Sequence, residues 1–266
     1  MNGALKKAVL TLAVSGMAGM AGMAQAEVVS GLSYSDAGGV RVGASTYPRD
    51  DRGKPGAGVD GQLRGAIAAT SHFANAEYKD ENAVYHYSGR KLVAGGAPGA
   101  GDPRDHSKLG VWSFAQAGSR DVWFGEWSAE SATGDVGSKT PGTHTVWYVG
   151  ENGDVASTLP TDAPVRYTVR SINNYTGAAL PTSTLTANFD TGVARSRGDI
   201  RFSRGEISTV DKDVRLAARN VRVTSSGGTG GSLEGKFFGT GAAAVAGIVK
   251  FADRDRDTAF GGTKTR

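Results

Sequence analysis

The chain has 266 residues, with 30 basic and 26 acidic side chains, 40 glycines and no cysteine. The lack of cysteine excludes disulfides, thiolate metal sites and an N-terminal lipidated cysteine. Basic and acidic residues are interspersed, so the sequence shows no basic face, and we expect no nucleic acid partner.

The first 26 residues are typical of a cleaved export signal. Lys6 and Lys7 precede an apolar run at 8–14, and small residues lead to Ala24-Gln25-Ala26, a cleavage pattern. The apolar run is too short, and too rich in small residues, to span a bilayer well. Two of the 30 basic residues lie in this segment, which leaves 28 basic against 26 acidic. We therefore expect a mature chain that starts at Glu27 and has no membrane anchor.

The next 120 or so residues predict short strands and long loops. Alternating apolar and polar residues in "EVVSGLSYS", "GVRVGAS" and "NAVYHYSGRKLV" predict strands. We also interpret the less regular stretch at 63–80 as strand. Two segments rich in glycine and proline, 47–61 and 94–108, predict loops. The stretches "LGVWSFAQ" and "DVWFGEWSA" predict a hairpin joined through Gly118-Ser119.

From about residue 145 the pattern becomes regular. Strands of similar length alternate with short Gly and Asp turns, which is typical of a closed antiparallel barrel. In "AAAVAGIVKF" (242–251), period 2 places Val245 and Val249 on one side and Ala244, Ala246 and Ile248 on the other. Small residues suit a tightly curved barrel wall. The stretch "GKFFGTGAAAVAGIVKF" (235–251) therefore predicts two strands and not a helix.

This same stretch, followed by "AFGG" at 259–262, also carries a resemblance. It is similar to the end of the C-terminal eight-stranded barrel of transferrin-binding protein B and factor H-binding protein, where the run is G-x-F-F/Y-G, small residues, then A-F-G-G. Those proteins often have a proline and an acidic residue in the middle, where this chain has Thr240 and small apolar residues.

Three further stretches resemble the haemophilin-like subgroup of Slam-dependent secreted proteins. They are "DVWFGEW" (121–127), "VWYVGENGD" (146–154) and "LPTDAPVRYTVRSINNYTG" (159–177). The resemblance implies an all-β chain, with an N-terminal β-rich domain, the handle, before an eight-stranded antiparallel β-barrel. We place the signal peptide at 1–26, the handle at 27–148 and the barrel at 149–266.

The resemblance also implies a function. The handle would capture haem from a host haem protein and deliver it to an outer-membrane receptor, expected to be TonB-dependent. The barrel would be recognised by a Slam translocon, so that a Gram-negative bacterium secretes the protein through its periplasm and outer membrane. We expect a monomer. We also expect no enzyme, because no catalytic motif or acid/base pair stands out. The alternative is a host-interaction, adhesion or symbiosis factor of the same export class, binding a protein or another small ligand.

Haem b, the expected cofactor, needs a donor for its iron, and without cysteine the leading candidate is histidine, with Tyr or Met as alternatives. All four histidines precede the barrel. His106, in a long loop, and His72 are the expected iron ligands, and His86 is a candidate second axial ligand. His144 opens a strand at the domain junction and is expected to be structural.

The four tryptophans lie within a short part of the handle. Tryptophans in β domains usually pack in the core. For Trp112 and Trp123 we also predict a place in the wall of the ligand pocket.

Overall fold

The computed structural model describes residues 27–153, 155–161 and 163–265, so the predicted signal peptide lies outside the described residues. Within them the protein is all-β, with a closed eight-stranded antiparallel barrel in its second half, which confirms the predicted fold class. No helix in this part of the chain combines the length and the apolar character that crossing a membrane requires.

The handle consists of short strands and two short helices. Its strands form two antiparallel sheets, one of five strands and one of three. The five-stranded sheet contains β1 (Val28–Leu32), β8 (Thr145–Glu151), β7 (Val122–Ser128), β6 (Val111–Gln116) and β5 (Tyr85–Ser88), in that order; the three-stranded sheet contains β2 (Val40–Ala44), β3 (Pro55–Val59) and β4 (Ala68–Ala69); the helices are α1 (Thr70–Phe73) and α2 (Gly89–Ala94).

The barrel strands pair in sequence order, and the first and last of them pair with each other to close the cylinder. Side chains alternate between interior and exterior along each strand. The strands are β9 (Val165–Ile172), β10 (Thr182–Asn188), β11 (Val193–Gly198), β12 (Ile200–Val210), β13 (Asp213–Val223), β14 (Gly228–Phe238), β15 (Ala244–Lys250) and β16 (Thr258–Lys264). The predicted boundary between 148 and 149 falls inside β8, which ends at Glu151.

Strand β15 is apolar on both sides because each side is covered by a different part of the protein. Val245 and Val249 belong to the core inside the barrel. Ala244, Ala246 and Ile248 pack instead in a second core that the barrel shares with the handle. The predicted pair of strands over 235–251, and the predicted division of side chains in β15, are both confirmed.

The shared core is closely packed where β7 and β8 of the handle meet β15 and β16 of the barrel. Phe124 of β7 and Tyr148 of β8 lie in it, together with the outer sides of β15 and β16. Gly261 of β16 lies so close to the ring of Phe124 that a Cβ atom at this position would clash with it. Glycine is therefore required here for the close approach of a strand to an aromatic side chain.

A buried carboxylate also joins the two parts. Glu126 of β7 is fully buried and accepts hydrogen bonds from the backbone N–H groups of Asn174 and Tyr175, at 2.5 and 2.8 Å, and from Lys139 Nζ at 2.7 Å. Burial raises the pKa of Glu126, but Lys139, the nearby ring of His144 and the donated hydrogen bonds outweigh burial and lower it. The carboxylate is therefore held in its charged form by partners from both parts.

His144 belongs to the same junction. Its Nε2 lies 3.0 Å from the backbone carbonyl oxygen of Asp257, in the turn before β16, and its own carbonyl accepts a hydrogen bond from Arg254 Nε at 2.8 Å. The guanidinium of Arg254 stacks on the ring of Tyr34, 3.9 Å from its centroid. His144 thus connects the handle to the barrel.

Several predicted elements differ from the structure. The strand predicted over 63–80 is wrong beyond β4, because the chain turns there into α1. The strand predicted over 82–93 is right only for β5, since Ser88 Oγ accepts a hydrogen bond from Lys91 N and caps the start of α2. The predicted loop at 47–61 contains β3, where Gly56 and Gly58 lie too close to residues 66–68 for side chains. The predicted hairpin of β6 and β7 is confirmed.

Candidate functional site

A cavity of about 860 Å³ lies in the handle, between the three-stranded sheet, α1 and the loop after α2. This volume is within the range of about 300–1,000 Å³ that small-molecule sites occupy. Most of its wall is apolar, as expected for a site that takes a largely apolar ligand. The aromatic and large aliphatic residues in the wall are Tyr47, Val59, Leu63, Phe73, Tyr78, Tyr87, Leu92, Leu109 and Trp112.

One side of the cavity is a packed group of aromatic rings. Phe73, the last residue of α1, makes edge contacts with Tyr87, Trp112 and Phe114, with ring centroids 5.3–6.2 Å apart. Tyr87 and Trp112 face each other across β5 and β6, and their rings stack at 6.2 Å. Such contacts are worth about 0.5–1.5 kcal/mol each beyond burial. These contacts anchor α1 to the five-stranded sheet.

His106 reaches the cavity from the loop after α2. The backbone of this loop is fixed by hydrogen bonds from His106 N to Pro98 O at 2.9 Å and from Leu109 N to His106 O at 3.1 Å. The carbonyl of Leu109 also accepts from the indole Nε1 atoms of Trp112 and Trp127, at 2.7 and 2.8 Å. A Cβ atom at Gly89 would clash with the carbonyl oxygen of His106, so the loop packs directly on the start of α2.

The two ring nitrogens of His106 differ in access. Nδ1 is buried and has no hydrogen-bond partner in the described part of the chain. Because neither solvent nor a ligand reaches Nδ1, Nε2 is the nitrogen available to the cavity. A neutral imidazole with Nε2 free of hydrogen bonds can bind a metal; its proton then lies on the buried Nδ1, which has no acceptor among the described residues.

His72 enters the same cavity from α1. It precedes Phe73, so the aromatic wall that holds Phe73 also sets the position of His72. Its ring is exposed and makes an edge contact with the ring of Tyr47, with centroids 5.3 Å apart. The structure therefore brings the two predicted metal ligands, His72 and His106, together on one cavity from separate elements.

His86 lies elsewhere. Successive side chains of a strand point to opposite faces of the sheet, and Tyr85 and Tyr87 of β5 occupy the face toward the aromatic core. His86 therefore points to the other face, where its Nδ1 lies 2.9 Å from Ser113 Oγ. Burial, and then the charge of Lys139, lower the pKa of His86. It does not line the cavity, so we do not retain it as a ligand candidate.

The two tryptophans predicted to line the pocket, Trp112 and Trp123, lie in different places. Trp112 lines the cavity. Trp123 is buried within the handle core, where it packs on Tyr85 and Phe114 and its Nε1 donates to Asp121 Oδ1. The register explains the difference, because Trp123 pairs with Gln116 at the far end of the hairpin from Trp112. Trp123 is thus a core residue of the sheet and not a wall residue.

Other iron donors are less suitable. Burial raises the pKa of Tyr87 and of Tyr78, so both phenols stay protonated near neutral pH. All four methionines lie within residues 1–23, before the handle. No group of three or more His, Asp or Glu side chains in the described residues is arranged to hold a free metal ion. Two histidines on one cavity suit a metal that brings its other ligands with it.

The cavity also has a cationic edge. Arg64 and Arg104 are among its lining residues, and both lower the pKa of Asp102, Arg104 by a direct hydrogen bond and Arg64 through its charge. The two guanidiniums therefore lie near one carboxylate from opposite elements. Leu63 and Arg64 both have positive φ, at 46° and 60°, an uncommon backbone that is often found at binding sites.

Sequence reasoning missed most of the wall. Tyr87 could have been found, since in "VYHYSG" either His86 or its two tyrosines must face the core. Phe73, Tyr78, Leu92 and Leu109 come from short helices and loops, whose directions period-2 reasoning does not give.

Comparison with protein families divides the chain in two. Residues 23–141 match the model described as the HphA N-terminal heme-binding domain. Residues 157–264 match the model described as the HphA C-terminal domain. The cavity, with His72 and His106, lies within the first match, and the barrel coincides with the second.

Solved structures give more distant matches. The chain is 11% identical to intact Ap-TbpB (N and C lobes), covering 59% of this chain and 36% of that one, with a TM-score of 0.40. Transferrin-binding protein B from Haemophilus parasuis Hp5 gives 12% identity, 59% and 35% coverage, and a TM-score of 0.39. The isotype 1 transferrin-binding protein B from serogroup B Neisseria meningitidis is 13% identical, with 59% of this chain and 34% of that one covered and a TM-score of 0.37. The chain thus spans about a third of the length of these structures.

The two family matches together cover most of the chain, in the order in which the handle and the barrel occur. The protein therefore belongs to the HphA family, the haemophilins.

Proposed function

We propose that the cavity of the handle is the haem site and that His72 and His106 are the iron ligands. The observation that carries this proposal is that one cavity, within the part matched to a heme-binding domain, receives two imidazoles from separate elements between apolar walls. Haem iron already has four nitrogen ligands, so a protein needs to supply only axial donors. The cavity wall, rich in Tyr, Phe and Trp, suits the faces of an aromatic macrocycle.

The cavity also has charged residues that suit the charged end of haem. Haem carries two propionates, which are anionic near neutral pH. Arg64 and Arg104 lie on the cavity wall; Arg104 is ion-paired with Asp102, so these three side chains leave one net positive charge at this edge. Arg64 and Arg104 would hold the propionates, and Phe73 and Trp112 would pack on the apolar part of the macrocycle.

Titration with hemin tests the proposed site. Added to the purified haem-free protein at micromolar concentration, hemin should give a Soret shift that saturates at one equivalent. Two axial imidazoles should produce a six-coordinate low-spin spectrum. A shift without saturation at one equivalent, or a purely five-coordinate high-spin spectrum, would contradict ligation by both histidines.

The arginine edge gives a second test, which compares hemin with its dimethyl ester. The double variant R64Q/R104Q should bind hemin roughly three- to tenfold more weakly, since exposed charge pairs contribute about 0.2–1 kcal/mol each. Its affinity for the dimethyl ester, which lacks the two charges, should match that of the wild type. Lys108→Gln, an exposed charge on the same loop that does not line the cavity, is the control. An equal loss for both ligands would mean that the arginines support the fold of the cavity and do not bind propionates.

We further propose haem b as the bound form, and a secreted carrier that delivers its haem to a receptor on the bacterial surface. What supports this is the export signal predicted at residues 1–26 and the membership of the HphA family. A Slam translocon, a TonB-dependent receptor, a host haem donor, the monomeric state and the absence of enzymatic activity stay predictions. Recovery of the red protein from culture medium, and its loss when the first 26 residues are deleted, would test secretion.

A further inference from the structure

The exterior of the barrel carries a dense group of arginines on three neighbouring strands, β11, β12 and β13. All are exposed, and none forms an ion pair with another residue in the part of the chain that the structure describes. We call this group the arginine face; it consists of Arg195, Arg197, Arg201, Arg204, Arg219 and Arg222.

The strand register concentrates this charge. Arg201 of β12 is directly opposite Arg222 of β13, which places their Cβ atoms about 4.5–5.5 Å apart. Arg195 and Arg197 lie two positions apart on β11, on the same side of the strand. Strands are about 4.8 Å apart, so the three strands form a basic surface about 10 Å wide.

Like charges opposite each other in a sheet destabilise it, and the surroundings do not neutralise them. Asp199, the nearest acid in sequence, is buried and bonded to Ser171 and Ser225. Glu206 lies farther along β12, beyond Arg204. A repulsive arrangement without internal compensation is suited to an external anionic partner.

The arginine face points away from the handle. The handle packs on β15 and β16, with further contacts to β9. In the order of the closed barrel, β12 lies four strands from β16 in either direction, on the opposite side of the cylinder. A partner on this face would leave the haem cavity uncovered.

The side chains of the arginine face limit the classes of partner that it can bind. The exposed side chains among and beside the arginines are small and polar: Ser203 and Asn220, with Thr184 of β10 next to Arg197. No aromatic residue among the described residues is exposed on this face. The exposed valines nearest to it are Val193, two positions before Arg195 on the same side of β11, and Val210, at the far end of β12. Protein interfaces usually centre on well-packed, desolvated pockets, single-stranded nucleic acids stack on aromatic side chains, and membrane insertion needs apolar side chains; this open, polar face offers none of these.

We propose that the arginine face binds a linear sulphated polysaccharide. The barrel wall is convex. A flexible linear polymer can bend around it and contact several arginines, whereas a flat membrane would touch only a narrow strip of it. Guanidiniums bind tetrahedral oxyanions through paired hydrogen bonds, and hydroxyl and amide side chains between them can bind sugar hydroxyls. This proposal is independent of the haem site.

Heparin, as the probe, tests the proposal on the whole purified protein. The wild type should bind heparin at 0.15 M NaCl and lose affinity steeply as salt rises, because the contacts are exposed charges. Desulphated heparin, which keeps its carboxylates, should bind much more weakly. The variant R201Q/R222Q should bind heparin roughly tenfold more weakly. Its thermal stability should be equal to or above that of the wild type, because a like-charge pair is removed.

The matched control is R49Q/K212Q, which removes the same charge from two exposed positions away from the face. It should change heparin affinity less than about twofold. Absence of heparin binding at 0.15 M NaCl, or an equal loss in the control, would overturn the proposal. Duplex DNA bound as tightly as heparin, through the same arginines, would overturn the assignment to a polysaccharide. Hemin titration of R201Q/R222Q should match the wild type, which separates this outcome from failure of the haem site.

Discussion

Replacement of Glu126 by alanine should lower the free energy of unfolding by about 3–5 kcal/mol, because it removes a buried carboxylate that pairs with the partly exposed Lys139 and accepts two backbone hydrogen bonds. The backbone N–H groups of Asn174 and Tyr175 would lose their acceptor, and Lys139 would lose its partner. Domains are typically stable by only about 5–15 kcal/mol, so this is a large fraction of the total. Urea unfolding followed by tryptophan fluorescence measures the change.

The exposed Glu206 of β12 offers the control, since Glu206→Ala should change stability by less than about 0.5 kcal/mol. Equal effects of the two alanine variants would refute a special role for the buried carboxylate.

The same side chain should give a pH dependence. Its pKa in the folded protein is lowered from the ordinary value of 4.5, so its contribution to stability is present above pH 4.5 and is lost as the pH falls through the folded pKa. The isosteric variant E126Q lacks this titration. The stability difference between the wild type and E126Q should therefore be largest near neutral pH and shrink in acid. A difference that is constant from pH 7 to pH 3 would show that the carboxylate does not titrate as described.

Loss of His106 should have the largest effect on haem binding. Removal of a group that only orients a metal ligand costs about 10- to 100-fold in affinity, so removal of the ligand itself in H106A should cost more than about 100-fold. H72A should also lose the six-coordinate spectrum, but by a smaller factor, because His72 is exposed and is held by a short helix. Spectra and hemin affinities of the two variants provide the measurement.

Two further variants make this prediction specific. H86A should bind hemin like the wild type, because His86 lies on the other face of the sheet beside Ser113. In H106G, added imidazole should enter the vacated space and restore a six-coordinate spectrum, which a purely structural role of His106 would not produce. If H86A abolished binding while H106A retained it, the assignment of the cavity as the haem site would be refuted.

The sequence was most informative where side chains alternate. Period 2 predicted β15 correctly, including which residues face the inside of the barrel, because a strand fixes the direction of each side chain. It did not show what covers the outer side of β15. That side packs on Phe124 and Tyr148, more than 90 residues earlier in the chain, and such long-range contacts leave no local pattern.

The site was only partly predictable for a related reason. Residue type pointed to His72, His106 and Trp112, and the structure brings these three to one cavity. Residue type alone could not separate them from His86 and Trp123, whose positions depend on strand direction and register. The arginine face was also missed, because acids interrupt its six residues along the sequence and the three groups become neighbours only through the pairing of β11, β12 and β13.

The contact between Gly261 and Phe124 has a consequence for how such proteins can be recombined. A handle grafted onto the barrel of a distant relative would pack against a different outer surface. Any side chain at the position of Gly261 would displace the ring of Phe124. Exchange of ligand specificity between family members should therefore succeed through changes inside the cavity, or through chimeras that transfer both sides of the seam together.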